Sequence, residues 1–513
     1  MLGASSCLAL GFYAHSRLYG TALDLDLGQA AIVARGLTAQ HASGLITSVL
    51  DAATAANARN VPPLDLKRAQ ELLESRSNFS ANPGVVSHFA QLPSNLPCED
   101  TWSCNVFTFA KHPMARLQGR SSGLYEWSIF DGHSGIRTAQ MLSEGLAAYA
   151  GLQLYESGCL NRPYVPNDAR ASRIIQEAFK TVDSLICGKE IQRMVGMGKD
   201  SVAHIVANAA GAHSGSCALV SLFDSVQSVL RVANTGDSRA VLARWDDASR
   251  RYVAQAMSVD QTGFNPDEVA RLKRDHPGED VVDPKTGRVH GMAVSRAFGD
   301  ARWKWPSELS QRAHDLFWGP SPRPNSVIKT PPYLTAEPEV METRIQGGDH
   351  PDFLIMASDG LWDHISSEDA VTCVQMWLNT YEPIDHIKQG QKPKRIFEHD
   401  VLENRYRPSL GPPSTVLNQS SPSRLAADSY DTYFDHEGVL RWKVSPEHFV
   451  VEDDHCGVHL VKNALGGSRR DLFTGILTMT PPLSRNVRDD ITVRVIFFGA
   501  DTRSIPASRM TGT

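Results

Sequence analysis

The chain contains no apolar run of membrane-spanning length. The longest candidate, near Leu8–Ala14, is short and is followed by His15 and Arg17. Basic charge is not in excess. Against 57 Asp and Glu stand 51 Lys and Arg, a net charge of -6, which argues against a broad nucleic-acid surface. Cysteine is sparse and scattered, at Cys7, Cys98, Cys104, Cys159, Cys187, Cys217, Cys373 and Cys456. No close pair of zinc-knuckle type occurs among them, and a reducing compartment is the simpler expectation. No internal repeat is visible. What is present is the composition of a soluble globular protein, 513 residues with 42% hydrophobic and 21% charged side chains. That length suits one large or two medium domains.

Chemistry concentrates where apolar runs end. Tyr125, Trp127 and Ile129 alternate with Glu126, Ser128 and Phe130, which predicts a strand with one well-buried face. Asp131-Gly132-His133 follows at once. Ile136, Ala139, Leu142, Leu146, Tyr149 and Leu152 then recur at helical spacing. Other acids occupy similar junctions. Glu99-Asp100 lies upstream, Asp359-Gly360 follows Phe353–Ala357, and Asp489-Asp490 precedes Ile491–Phe498. Several carboxylates at the ends of buried strands repel one another unless something positive neutralises them. Hard divalent cations are the economical partner, with Asp, Glu, backbone carbonyls and water as ligands.

The motifs occur in a telling order: Glu99-Asp100, Phe130–Gly135, Ser214-Gly215-Ser216, Asn234–Arg239, Ser295–Asp300, Ala357–Asp363 and Arg488–Val493. Together they resemble the metal-dependent serine/threonine protein phosphatases of the PP2C (PPM) family, over roughly residues 85–500. The resemblance implies an α+β fold, an α/β/β/α sandwich of two packed antiparallel sheets flanked by helices. It implies two Mg2+ or Mn2+ ions, bridged by Asp131 and ligated further by the Gly132 carbonyl, Asp359 and Asp489. Glu99 and Asp100 belong to the same shell, with Asp100 orienting water or metal. Asp237 and Asp363 match positions associated with a weaker third ion, and Asp490 a supporting or surface group. Two ions about 3.5–4 Å apart can share a water and lower its pKa. A leaving serine or threonine oxygen needs a proton, and His133 is the candidate donor.

Within the family, finer details resemble the mitochondrial pyruvate dehydrogenase phosphatase branch. Asn95 stands where most members carry a phosphate-holding arginine, and an Asn there lacks the bidentate charged fork. The run from Phe298-Gly299-Asp300 to Lys304-Trp305, and the segment His459 to Gly466, point the same way. The expected activity is dephosphorylation, and thereby activation, of the pyruvate dehydrogenase E1 alpha subunit in the mitochondrial matrix. The alternatives are a general serine/threonine phosphatase of the same fold, placed in the cytoplasm, a catalytically weak regulatory binding protein, or a hydrolase of small phosphate esters.

Residues 1–84 read as an N-terminal extension that is part of a targeting segment, poor in acid before Asp24 and carrying Arg17 and Arg35. Residues 85–500 form the catalytic domain, with polar, irregular insertions near 301–330 and 380–450, and residues 501–513 a tail. Leu66 to Leu73 reads as a short helix, and 164–194 as helical with Ile174, Ile175, Ala178, Phe179, Val182 and Leu185 on one face. Val226 to Ala233 and Arg239 to Ala243 read as a hairpin with Asp237 at its tip or just beyond. His276 is expected on a loop surface. Lys388, Lys392, Lys394 and Arg395 form a basic patch, and Pro412 to Arg424 has the composition of a mobile segment.

Overall fold

Two antiparallel sheets carry the fold of this computed structural model. It describes residues 63–82, 84–107, 123–166, 168–381, 432–434 and 440–500. Residues 1–62, the Lys388 to Arg395 patch, the Pro412 to Arg424 stretch and residues 501–513 lie outside the described residues. In chain order the strands are β1 (Ser77–Asn82), β2 (Gly84–Leu92), β3 (Thr101–Phe107), β4 (Leu124–Phe130), β5 (Gly132–His133), β6 (Gly215–Ser216), β7 (Ala218–Asp224) and β8 (Val229–Thr235). They continue with β9 (Arg239–Asp246), β10 (Arg251–Ala256), β11 (Phe298–Gly299), β12 (Glu339–Arg344), β13 (Phe353–Ala357), β14 (Thr432–Phe434), β15 (Leu440–Trp442) and β16 (Ile491–Ala500). One sheet runs β1-β2-β16-β13-β9-β10, the other β12-β8-β7-β4-β3. The short β11, β6 and β5 form a third, and β14 pairs with β15.

The period-2 pattern decides what each face meets. In β13, Phe353, Ile355 and Ala357 point into a helical layer, while Leu354 and Met356 point between the sheets. There they meet Tyr125, Trp127 and Ile129 of β4 and Ile496 and Phe498 of β16. Helices Leu66–Glu74, Ser367–Tyr381, Cys456–Ala464 and Arg470–Thr478 cover the outside of the first sheet. Helices Arg137–Glu156, Ala169–Cys187, Lys189–Met197 and Val202–His213 cover the second. The order of layers is therefore α/β/β/α. Among the described residues no helix is long and apolar enough to cross a membrane.

Five local expectations change. β4 is buried on both faces, Glu126 and Ser128 included, because helices cover the side that the alternation left to water. Glu126 keeps that face polar by accepting from Ser103 Oγ and Asn105 Nδ2. The strands either side of Asp237 are not a hairpin. β8 pairs with β7 and β12, β9 with β10 and β13, so the chain crosses from one sheet to the other at Gly236. Gly236 has φ +111°, and a Cβ there would sit 2.3 Å from Cys217 Sγ, so only glycine makes this passage.

His276 is buried rather than on the surface. It stacks on Tyr333 with ring centroids 4.3 Å apart, and its Nδ1 lies 2.8 Å from Thr330 Oγ1. Residues 306–330 are not wholly irregular, since Ser307–Phe317 is a helix with Ala313 and Phe317 in the core. The segment before it is tied down from below. Lys304 Nζ reaches Asp183 Oδ2 at 2.7 Å, and buried Trp305 donates Nε1–H to the Cys187 carbonyl at 2.7 Å. The helical reading of 164–194 is split at Gly188, and Leu185 faces solvent.

Candidate metal centre and active site

Three strand ends deliver three carboxylates to one edge of the sandwich. Asp131 follows β4, Asp237 sits in the β8–β9 crossover, and Asp359 opens the one-turn helix Asp359–Trp362 after β13. All three are partly buried, and each offers a carboxylate oxygen within 4.8 Å of the others. Desolvation, then the charges of Asp359, Asp100, Asp237 and Asp489, push the Asp131 carboxyl well above the usual range. Asp359 is pushed up likewise by desolvation and by Asp237, Asp489, Asp363 and Asp100. Asp237 is raised to about 6 by desolvation and Asp260. Half-buried oxygen donors that repel one another fit a hard divalent cation.

Glycine sets the spacing behind them. A Cβ on Gly132 would lie 2.3 Å from the Glu99 carbonyl oxygen, and one on Gly360 would lie 2.3 Å from that of Asp490. Each Asp-Gly pair thus packs its glycine onto the backbone of one acidic pair. Those pairs divide their work. Asp100 is buried, and its Oδ2 accepts from Ser358 Oγ at 2.8 Å and Thr492 Oγ1 at 2.7 Å. Desolvation and Asp490 hold its carboxyl well above the ordinary value.

Asp490 instead clamps the 94–99 loop. Its carboxylate accepts from the backbone N–H of Ser94, of Asn95 at 2.9 Å and of Glu99 at 2.8 Å, and from Asn95 Nδ2 at 3.2 Å. Burial opposes its charge, but these donors outweigh burial and keep Asp490 below the usual carboxylate range. Glu99 accepts from the Gly135 N–H and from Asn95 Nδ2 at 3.1 Å. The Asn95 amide therefore bridges Glu99 and Asp490. Asp489 is drawn to Arg485, whose two Nη atoms lie 2.8 and 3.1 Å from its oxygens. Of the residues singled out in the sequence, the structure brings Asp131, Asp237 and Asp359 into the tight group. Asp100, Asp489 and Asp363 bear on it electrostatically, while Glu99, Asn95 and Asp490 fasten the adjoining loop. Cys98 is buried, and burial with Asp490 and Asp100 pushes its thiol up.

His133 faces a partner that residue reading missed. Its Nε2 lies 2.7 Å from Asp300 Oδ2, and the Asp300 side chain is 2% exposed. Burial works against a charged ring here, but the charge and hydrogen bond of Asp300, with Asp237 and Glu99 beyond, outweigh it and raise His133 above the ordinary imidazole value. The contact needs Gly215, where a Cβ would sit 2.1 Å from Nε2 and 2.2 Å from Oδ2. Asp300 holds φ +50°, and its N–H donates to the Ser214 carbonyl at 3.0 Å. The Phe-Gly-Asp run was visible in the sequence, but only as a motif. Arg485 stands four residues before Asp489, a spacing visible in the sequence but not singled out there.

The Protein phosphatase 2C family model matches residues 115–397, more than half of the chain. The Glu99-Asp100 pair and Asp489 lie outside that stretch. A protein phosphatase 2C homolog of Schizosaccharomyces pombe is 35% identical over 452 residues, covering 86% of this chain and 87% of that protein. The mitochondrial [pyruvate dehydrogenase [acetyl-transferring]]-phosphatase 1 of Saccharomyces cerevisiae is 34% identical over 427 residues, 80% of this chain and 68% of its own. The protein of that name from Bos taurus is 29% identical over 504 residues, 86% and 80% respectively.

Proposed function

The chain belongs to the protein phosphatase 2C family, whose members are metal-dependent serine/threonine phosphatases, and we propose that its substrate is phosphoserine on the pyruvate dehydrogenase E1 alpha subunit. The observation that carries this reading is that relatives named as pyruvate dehydrogenase phosphatases align over 80–86% of the chain. Removal of the phosphate would switch the complex on, and the place of action would be the mitochondrial matrix.

In this reading Asp131, Asp237 and Asp359 hold two Mg2+ or Mn2+ ions, joined by Asp489, Asp100, Glu99 and the Gly132 carbonyl, with Asp363 near a weaker third. Bound ions of this kind supply an activated water and offset phosphate charge. The protein's own groups do the rest. The Asp300 carboxylate holds Nε2 of His133, so Nδ1 is the atom from which a proton passes to the leaving serine oxygen. The Asn95 donors are engaged by Glu99 and Asp490, so more of the affinity must come from the bound ions and from contacts beyond the phosphate.

The 35% identity to a relative with a general phosphatase name favours a second reading, a serine/threonine phosphatase without preference for this complex. One experiment separates them. Purified protein is incubated with phosphorylated pyruvate dehydrogenase complex, or with an unrelated phosphoprotein mixture, in the presence of magnesium. Recovery of dehydrogenase activity with much slower release from the mixture supports the first reading. Equal rates leave the general phosphatase.

A further inference from the structure

Two arginines share one tryptophan beside the active site. Arg302 Cζ lies 4.8 Å from the Trp303 ring centroid, and Arg323 Cζ lies 5.0 Å from the same ring. Trp303 is itself fixed, buried to 6% exposure and donating Nε1–H to the His290 carbonyl at 3.3 Å. Arg323 lies flat against Gly291, where a Cβ would come within 2.8 Å of Nη2. Each guanidinium carries five N–H donors, yet among the described residues neither makes a hydrogen bond or an ion pair. Nε of both is buried without a partner. The acid whose charge reaches Arg302, Asp300, spends its Oδ2 on His133 Nε2 at 2.7 Å instead.

Like charges held together raise the energy of the fold, and the Asp300 charge offsets this only in part. Stacking on Trp303 offsets part of this. Burial, then the charge of Arg323, holds Arg302 below the usual arginine value. An anion is what the pair lacks. A planar guanidinium fork favours a carboxylate or a phosphate, which it can grip bidentately.

Position says where that anion comes from. Arg302 is the second residue of the one-turn helix Ala301–Lys304, and the helix starts from Asp300, the partner of His133. Arg302 lies two residues along the chain from Asp300, and an extended peptide covers roughly 10 Å in three residues. We propose that Arg302 and Arg323, braced on Trp303, form an anion subsite that grips an acidic group of the phosphoprotein substrate a few residues from the phosphoserine being cleaved. The inference rests on the phosphatase reading and not on the identity of the substrate.

The test uses the full chain with magnesium and phosphoserine peptides that differ at one position, two to four residues from the phosphoserine. That position carries alanine, glutamate or phosphotyrosine, so that carboxylate and phosphate are compared. An aryl phosphate is the fourth substrate. The expected result is a KM about tenfold lower for the anionic peptides than for the alanine peptide. In the double variant Arg302→Gln/Arg323→Gln that advantage disappears, while kcat, the alanine peptide and the aryl phosphate stay within about twofold. Retained aryl phosphate turnover reports an intact fold. The reverse test is Arg323→Glu, which should favour a lysine at the same position. Equal KM values for all peptides with the unaltered chain, or losses shared by every substrate in the variants, would overturn the subsite and leave the phosphatase reading standing. No turnover of any substrate by the unaltered chain would overturn both.

Discussion

Asp300 Oδ2 sits 2.7 Å from His133 Nε2, with Gly215 leaving the space for both. The two side chains come from β5 and from the end of β11, which β6 holds side by side. The pair has a testable pH signature. Burial lowers the tendency of His133 to carry a proton, and Asp300 more than restores it. If His133 protonates the leaving serine oxygen, turnover falls as pH rises through its pKa. Asp300→Asn removes the support, so the fall moves to lower pH. The variant should lose at least tenfold on phosphoserine peptide above that limb and little on aryl phosphate, whose leaving group needs no proton. His133→Ala should cost about a hundredfold on the peptide. Equal losses on both substrates would assign the pair a structural role.

Asp237 gives a stability test. Its folded value is raised to about 6 from an ordinary 3.8 by desolvation and by Asp260. A raised carboxylate destabilises the metal-free fold once ionised, so the penalty is absent below about 4 and complete above about 6. In chelator at pH 8, Asp237→Asn should therefore be the more stable protein, by on the order of 1–2 kcal/mol after screening by water. Added magnesium should stabilise the unaltered chain more than the variant. Thermal melts with and without chelator measure both effects.

Glu268 carries the opposite sign. It is buried, which opposes its charge, but Arg296 at 2.5 Å, Arg271 at 2.8 Å and Ser295 Oγ at 2.6 Å hold it down at about 2 instead of 4.5. The stabilisation is complete above pH 4.5 and is lost as pH falls through about 2. Glu268→Gln should cost about 3 kcal/mol at pH 7 and progressively less in acid. Urea melts at pH 7 and pH 3 check the trend.

Asp490→Ala should free the 94–99 loop. Three backbone N–H groups lose their acceptor, at about 1–3 kcal/mol for a buried group left unsatisfied. Because the carboxylate holds the Glu99 N–H and Gly132 rests on the Glu99 carbonyl, calorimetry should also show weaker magnesium binding. Unchanged affinity would separate the clamp from the metal site.

The strand-end acids were legible because a carboxylate after a buried run is visible in one dimension. Asp131 follows such a run directly, and Asp359 follows one after Ser358. The crossover at Gly236 was not, since two strands joined by a short turn look like a hairpin whether they share a sheet or change sheets. That is why Asp237 enters the tight group instead of a hairpin tip. The partner of His133 lies 167 residues away, and residue type alone does not connect them. Two of the signatures that pointed to one branch of the family turn out to be packing. Lys304 and Trp305 bind Asp183 and Cys187, and His459 lies buried against Cys373 in the helical layer outside the first sheet.

The proposed phosphatase centre of Asp131, Asp237 and Asp359 stands or falls on its need for a cation. The most direct measurement is phosphate release from a phosphoserine peptide by the unaltered chain and by Asp359→Asn, each with magnesium, manganese or chelator. Release by the unaltered chain should require the cation and vanish in chelator. Asp359→Asn should lose at least a hundredfold at saturating magnesium, with the variant still folded by its thermal melt. Undiminished release in chelator, or near-normal release by the folded variant, would contradict the proposed centre.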